Sequence, residues 1–175
     1  NPVILIRGGH RISGDELKPL DRNALIKAID VHAKTVSAFA VSGYFGVRNP
    51  SHELSAKAII RERTGFPVTC GHELTTSLDA PRRAVTSLLN ARLIPLIHTL
   101  IDSVTTVLSD LEINAPLMIV KGDGSLISAK TALDVPIETI MSGPAASVVG
   151  ARYLTGLSDA VVIDMGGTTS DMAVL

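Results

Sequence analysis

Short β-branched runs alternate along this chain with stretches in which apolar residues recur every three or four positions. That alternation is the pattern of an α/β architecture, so a mixed or parallel sheet with flanking helices is expected. Asp21 is suited to cap a helix whose apolar face is Leu25, Ile26, Ile29 and Ala33, and residues 36–41 then read as a buried strand. Asn49 and Pro50 mark the start of a second helix, an N-cap followed by a residue whose missing N–H is harmless in the first turn. Gly65 stops it just after Arg63 and Thr64, and residues 66–70 supply another short strand. The longest periodic segment runs from 81 to 111, where Leu88, Leu89, Leu93, Leu96, Ile97, Leu100, Ile101, Val104, Val107, Leu108 and Leu111 recur three or four apart as one broad stripe facing a core. Pro95 lies inside it, lacks an N–H and clashes with the preceding turn, which predicts one bent helix. The character changes at Asn114-Ala115-Pro116: residues 117–120, a Gly122-Asp123-Gly124 turn and Leu126-Ile127 read as a strand hairpin. Two regions, 1–113 and 114–175, are therefore expected. Ser142-Gly143-Pro144 opens a helix of small residues that reaches Thr155 and stops at Gly156, before a strand over 160–163.

Composition narrows the function classes. Sixteen basic and seventeen acidic side chains leave a formal net charge of −1. No block of like charge marks a nucleic-acid or anionic-membrane footprint. Uninterrupted apolar runs fall well short of the ~18 residues a membrane span needs, and the first residues lack the basic-then-apolar build of a signal peptide. A soluble, cytoplasmic protein is the expectation. The chain opens on Asn1-Pro2 and closes within the apolar run Met172-Ala173-Val174-Leu175, which reads as part of a longer protein. Cys70 is its one cysteine, so an internal disulfide and a cysteine-rich zinc site are both excluded, and Cys70 itself reads as a small buried apolar group.

The stretch with chemical content is Asp164-Met165-Gly166-Gly167-Thr168-Thr169-Ser170-Asp171, set between two apolar runs. It reads as strand, tight turn, strand. Gly166 and Gly167 let the backbone approach a phosphate closely, while Thr168, Thr169 and Ser170 add hydroxyl donors to the loop's N–H groups. Asp164 and Asp171 would repel a bare phosphate, so their work is to hold Mg²⁺ or its waters, Asp164 first, or to orient a nucleophile. The bland alternative is an ordinary hairpin whose aspartates bond nearby N–H groups. Ser142 and Gly143 form a second candidate, because free N–H groups at a helix start favour anions; a plain helix cap explains that signal equally well.

On these residues the sequence resembles the hydantoinase A/5-oxoprolinase family. The resemblance rests on Asp164 through Asp171, on Ser142-Gly143-Pro144-Ala145-Ala146 with Val148, Val149 and Gly150, and more weakly on Tyr44, Asn49, Pro50, His52 and Glu53. Family members often carry glycine where this chain has Ser147. The resemblance implies a fragment of an actin-like (ribonuclease H-like) ATPase fold, in which two lobes face each other across an ATP cleft and each contributes a phosphate-binding hairpin. One such hairpin is visible here, which implies that the segment by itself is inactive. The implied activity is ATP-dependent hydrolysis of a small cyclic amide such as hydantoin or 5-oxoproline, with ATP and Mg²⁺ as cofactors and a second hydantoinase subunit or another copy as partner. An ATP-dependent ketone carboxylase subunit is the alternative enzyme, and a nucleotide-binding module without catalysis is the alternative of another class.

Other constellations fail. His52-Glu53 and His72-Glu73 lack the second histidine of a zinc protease, because Ala56 and Thr76 stand where it is needed. His52 and Glu53 then read as a helix-capping histidine and a first-turn acid. Neither a P-loop, nor a dinucleotide-binding glycine fingerprint, nor a Gly-x-Ser-x-Gly elbow occurs.

Overall fold

A computed structural model describes residues 2–175. They form two compact units that divide between Leu96 and Ile97. That division lies inside one helix and next to Pro95, whereas the change of sequence character near Asn114 follows the end of the same helix.

The first unit contains β1 (Gly9–His10), β2 (Glu16–Lys18), α1 (Arg22–His32), β3 (Phe39–Val41), α2 (Ser51–Thr64), β4 (Val68–Cys70), the single turn α3 (Gly71–Leu74) and the first half of α4 (Ala80–Asp110). Strands β1 and β2 pair antiparallel, while β3 and β4 pair parallel over three residues, from Phe39 opposite Val68 to Val41 opposite Cys70. The strands expected over 36–41 and 66–70 each form over only three residues, paired with one another. Asp21 caps α1 as expected, its Oδ1 accepting the Ala24 N–H at 2.9 Å. Asn49 acts one position earlier than expected, since α2 begins at Ser51 and the Asn49 side chain accepts the Ser51 N–H. Leu25 and Ile29 of α1 meet Ala56 and Ile60 of α2 over Val68 and Cys70 of β4, and this cluster is the unit's apolar core.

The second unit contains the rest of α4, then β5 (Met118–Val120), β6 (Leu126–Ser128), the short α5 (Ala129–Asp134), α6 (Ser142–Thr155), β7 (Val161–Met165) and β8 (Ser170–Val174). Both strand pairs here are antiparallel, β5 with β6 and β7 with β8. Ile97 and Ile101 of α4 bury against Ala132, with Leu117, Ile119 and Ile127 alongside.

Helix α4 runs unbroken through Pro95 for 31 residues. By length and hydropathy alone it passes as a membrane span. Its buried seam is different in kind: Arg83, Ser87, Asn90, Ala91, Ile94, Ile97 and Ile101, a line at helical spacing that starts polar. Several leucines of the expected broad stripe, among them Leu89, Leu96, Leu100 and Leu111, are exposed. The polar start is held by specific partners, since Asn90 donates to Thr69 Oγ1 at 3.0 Å and Ser87 to the Arg83 carbonyl.

Candidate functional site

Residues 161–174 form the hairpin the sequence predicts, and its register decides what the two aspartates do. Asp164 stands directly opposite Asp171. Residues facing each other across an antiparallel pair share a face, with Cβ atoms about 4.5–5.5 Å apart, and like charges so placed repel. Val162, Asp164, Asp171 and Ala173 are the half-buried set, while Val161, Ile163, Met165, Met172 and Val174 point out and are exposed. Two carboxylates therefore share the covered face of the hairpin. That is a costly arrangement unless a cation or a hydrogen-bond donor offsets it.

One donor is in place. Ser147, on α6, gives its hydroxyl to Asp164 Oδ2 at 2.5 Å. A carboxylate only accepts, so the serine is the donor.

The loop between the strands closes through the Gly166 N–H, which donates to the Thr169 carbonyl at 2.9 Å. Gly166, Gly167, Thr168, Thr169 and Ser170 are all exposed at its tip. Neither glycine has a positive φ. A Cβ added to Gly167 meets nothing within 4 Å, and one on Gly166 lies 3.4 Å from the Thr169 carbonyl oxygen, an ordinary contact. Turn geometry alone thus does not require glycine at either position, and two residues without a Cβ leave the backbone open to close approach.

Helix α6 begins where the sequence places it. Its N-cap is Met141, in the left-handed region at φ 63°, and Met141 makes no side-chain cap bond. Ser142 is consequently the first helical residue and does not cap the helix, so the simple cap reading of Ser142-Gly143-Pro144 is not realised. The first helical bond runs from the Ala145 N–H to the Met141 carbonyl at 3.2 Å. Ser142 precedes Ser147 by five residues, about 7.5 Å at the helical rise of about 1.5 Å per residue. The helix that fixes Asp164 therefore also carries the second candidate, Ser142 and Gly143.

In the first unit the structure shows a polar knot that apolar periodicity did not reveal. Glu53 lies in the first turn of α2, yet it is only 2% exposed and is no solvated first-turn acid. Its Oε1 accepts the Gly43 N–H at 2.6 Å. Its Oε2 accepts the His72 N–H at 3.0 Å and lies 2.6 Å from His72 Nδ1. Gly43 is gripped at its carbonyl too, by Arg83, which is fully buried and also donates to the carbonyls of Tyr44 and Ser77. Helical spacing was the available signal, because Glu53 lies in line with Ala56 and Ile60 on the buried stripe. His52 does not cap α2: its Nδ1 accepts the Gly9 N–H at 3.2 Å and its Nε2 lies 2.9 Å from Glu16.

Glu53, Cys70 and His72 also bring their ligand atoms within 4.8 Å of one another. Hydrogen bonds account for that grouping, since Glu53 is engaged at both oxygens and the Cys70 thiol points to the Glu53 carbonyl at 3.5 Å. Burial, then the neighbouring Glu73 and Glu53 carboxylates, push the Cys70 thiol up to about 12, so it stays protonated at neutral pH. Burial works to raise the Glu73 carboxyl, but hydrogen bonds from Lys57 and the Cys70 N–H prevail and hold it below its ordinary value.

A model of the hydantoinase/oxoprolinase family matches residues 83–175, and a model of the hydantoinase/oxoprolinase N-terminal region matches residues 1–64. The chain is 31% identical over 173 residues to the caprolactamase subunit alpha of Pseudomonas jessenii, covering 95% of this chain and 25% of that one. It is 30% identical over 177 residues to the acetophenone carboxylase gamma subunit of Aromatoleum aromaticum, covering 93% of this chain and 23% of the other. It is also 28% identical over 164 residues to 5-oxoprolinase 1 of Arabidopsis thaliana, covering 91% and 12%. The crystal structure of the ATP-dependent caprolactamase from Pseudomonas jessenii superposes with a TM-score of 0.82 at 30% identity, over 95% of this chain and 25% of that one. The chain thus spans about a quarter or less of the length of these relatives. With both family models matched and the two-aspartate hairpin formed, the chain belongs to the hydantoinase/oxoprolinase family.

Proposed function

We propose that the protein to which this chain belongs is an ATP-dependent hydrolase that opens a small cyclic amide of the hydantoin, 5-oxoproline or lactam type. The hairpin supplies one side of its ATP phosphate site. A single observation carries the reading: Asp164 and Asp171 face each other across the strands at the base of a glycine loop whose glycines the turn itself does not require.

An amide carbonyl is a poor electrophile, and a cyclic amide is opened by water only slowly. Transfer of the terminal phosphoryl group of ATP to the carbonyl oxygen makes the carbon attackable; water adds, the ring nitrogen leaves with a proton, and a second water attacks the carbon of the resulting acyl phosphate, breaking its C–O bond so that phosphate leaves with the former carbonyl oxygen. The protein's share is positioning and charge neutralisation. Gly166 and Gly167 let the chain come close to phosphate oxygens, Thr168, Thr169 and Ser170 offer hydroxyl donors, and Ser142 and Gly143 add N–H groups at a helix start. The hard oxygen donors of Asp164 and Asp171 suit Mg²⁺, which when bound supplies neutralisation of the phosphate charge. Two of the relatives are named as subunits, which supports a second subunit as partner.

A carboxylase is the second reading, favoured by the similarity to the acetophenone carboxylase subunit. The two are separated by measuring ATP turnover of the full-length protein, with any partner subunit, in the presence of hydantoin, 5-oxoproline, caprolactam, or bicarbonate with a ketone. The ring-opening reading expects a cyclic amide to stimulate turnover at least tenfold without bicarbonate. Stimulation only by ketone with bicarbonate would overturn it in favour of carboxylation, and no stimulation by either would leave a binding module.

A further inference from the structure

We infer that Ser147 is a positioning residue for Asp164, holding one carboxylate oxygen so that the other is presented to the hairpin's ligand; this rests on the reading of Asp164 as a Mg²⁺ and phosphate-site residue. The geometry is specific. A serine or threonine inside a helix ordinarily returns its hydroxyl to the carbonyl four residues earlier. In this chain Thr64, Thr86, Ser87, Ser103 and Thr155 do so, at 2.7 to 2.9 Å. Ser147 sits in the middle of α6 and instead sends its hydroxyl out of the helix, across to β7, to Asp164 Oδ2 at 2.5 Å. Among the described residues Asp164 Oδ1 meets no donor, so one oxygen is tethered and its twin is available.

The tether does two things that the repelling pair Asp164 and Asp171 requires. It fixes the rotamer of a carboxylate that an opposing carboxylate would otherwise turn aside, and it places a donor's positive end against one of two like charges. Because the donor comes from α6, the orientation of Asp164 is coupled to the helix whose first turn carries Ser142 and Gly143. Ser147 itself touches neither phosphate nor metal in this reading. It acts through Asp164.

The test uses the full-length protein and four forms besides wild type: Ser147→Ala, Ser147→Thr, Asp164→Asn and the double variant Ser147→Ala with Asp164→Asn. Alanine is the best helix former, so Ser147→Ala is expected to fold with a Tm within about 2 °C of wild type. Its kcat for ATP is expected to fall about tenfold with KM for ATP changed less than twofold. Mg²⁺ binding in the presence of ADP, measured by calorimetry, is expected to weaken several-fold. Ser147→Thr keeps the hydroxyl and is expected to recover most of both losses. On the Asp164→Asn background the serine change is expected to add less than a twofold effect, as two residues acting through one contact are non-additive. Wild-type kcat and Mg²⁺ affinity in Ser147→Ala, alongside a strong Asp164→Asn defect, would overturn the inference alone. An undiminished serine effect on the Asp164→Asn background would also overturn it, as a packing effect. A nearly normal Asp164→Asn would instead overturn the underlying reading of the site.

Discussion

Asparagine in place of Asp164 in the full-length protein is expected to lower ATP turnover about a hundredfold while the Tm moves by no more than about 2 °C. The substitution keeps size and shape and removes one negative charge, so charge is the variable under test. A neutral amide binds a hard cation less well and orients the transferring phosphoryl group less firmly. A hundredfold loss corresponds to about 2.7 kcal/mol of transition-state stabilisation, a common magnitude for one preorganised electrostatic contact. A turn residue would behave otherwise, because asparagine could still accept the Ser147 hydroxyl and hold the hairpin. Removal of the opposed charge could even stabilise the hairpin slightly, since Asp164 and Asp171 are direct cross-strand neighbours. Turnover within about threefold of wild type at saturating Mg²⁺ and ATP, a difference under about 1 kcal/mol, would reject the catalytic assignment.

Alanine in place of Glu53 is expected to remove about 3–5 kcal/mol of stability from the first unit. Glu53 is buried and its oxygens accept from Gly43 and His72. Its loss leaves two main-chain N–H groups and the His72 ring, all partly buried, without their acceptor. The loop packs so tightly on the carboxylate that a Cβ added to Gly46 would come 2.2 Å from Glu53 Oε1. Glutamine should recover only part of the loss, since its NH₂ would confront an N–H where an acceptor is needed. Urea unfolding followed by circular dichroism measures both variants; a loss below about 1 kcal/mol for alanine would mean that the knot contributes little to the fold.

Sequence periodicity was informative where burial and apolarity coincide. The apolar face of α1, the cap at Asp21, the stop of α2 at Gly65 and both hairpins of the second unit follow from spacing and turn residues alone. It misled along α4, where the buried seam begins with Arg83, Ser87 and Asn90 and the leucines counted as core include several exposed ones. A count of apolar residues cannot register polar side chains buried against main-chain carbonyls, and Glu53 escaped for the same reason.

The strand, turn and strand of the candidate site were legible from its two apolar runs, with the second strand expected over 172–175; the register that sets Asp164 opposite Asp171 came only with the structure, in which that strand begins at Ser170. The Ser147 contact joins residues seventeen apart through the packing of α6 on β7, and no local pattern encodes it.

The most direct test follows the carbonyl oxygen of the cyclic amide. The full-length protein is supplied with ATP and a substrate labelled with oxygen-18 at that carbonyl, and the released phosphate is weighed by mass spectrometry. Ring opening through carbonyl phosphorylation predicts that the label moves into the phosphate, one labelled oxygen for each ring opened. Phosphate free of label, with the heavy oxygen remaining in the product carboxylate, would contradict it.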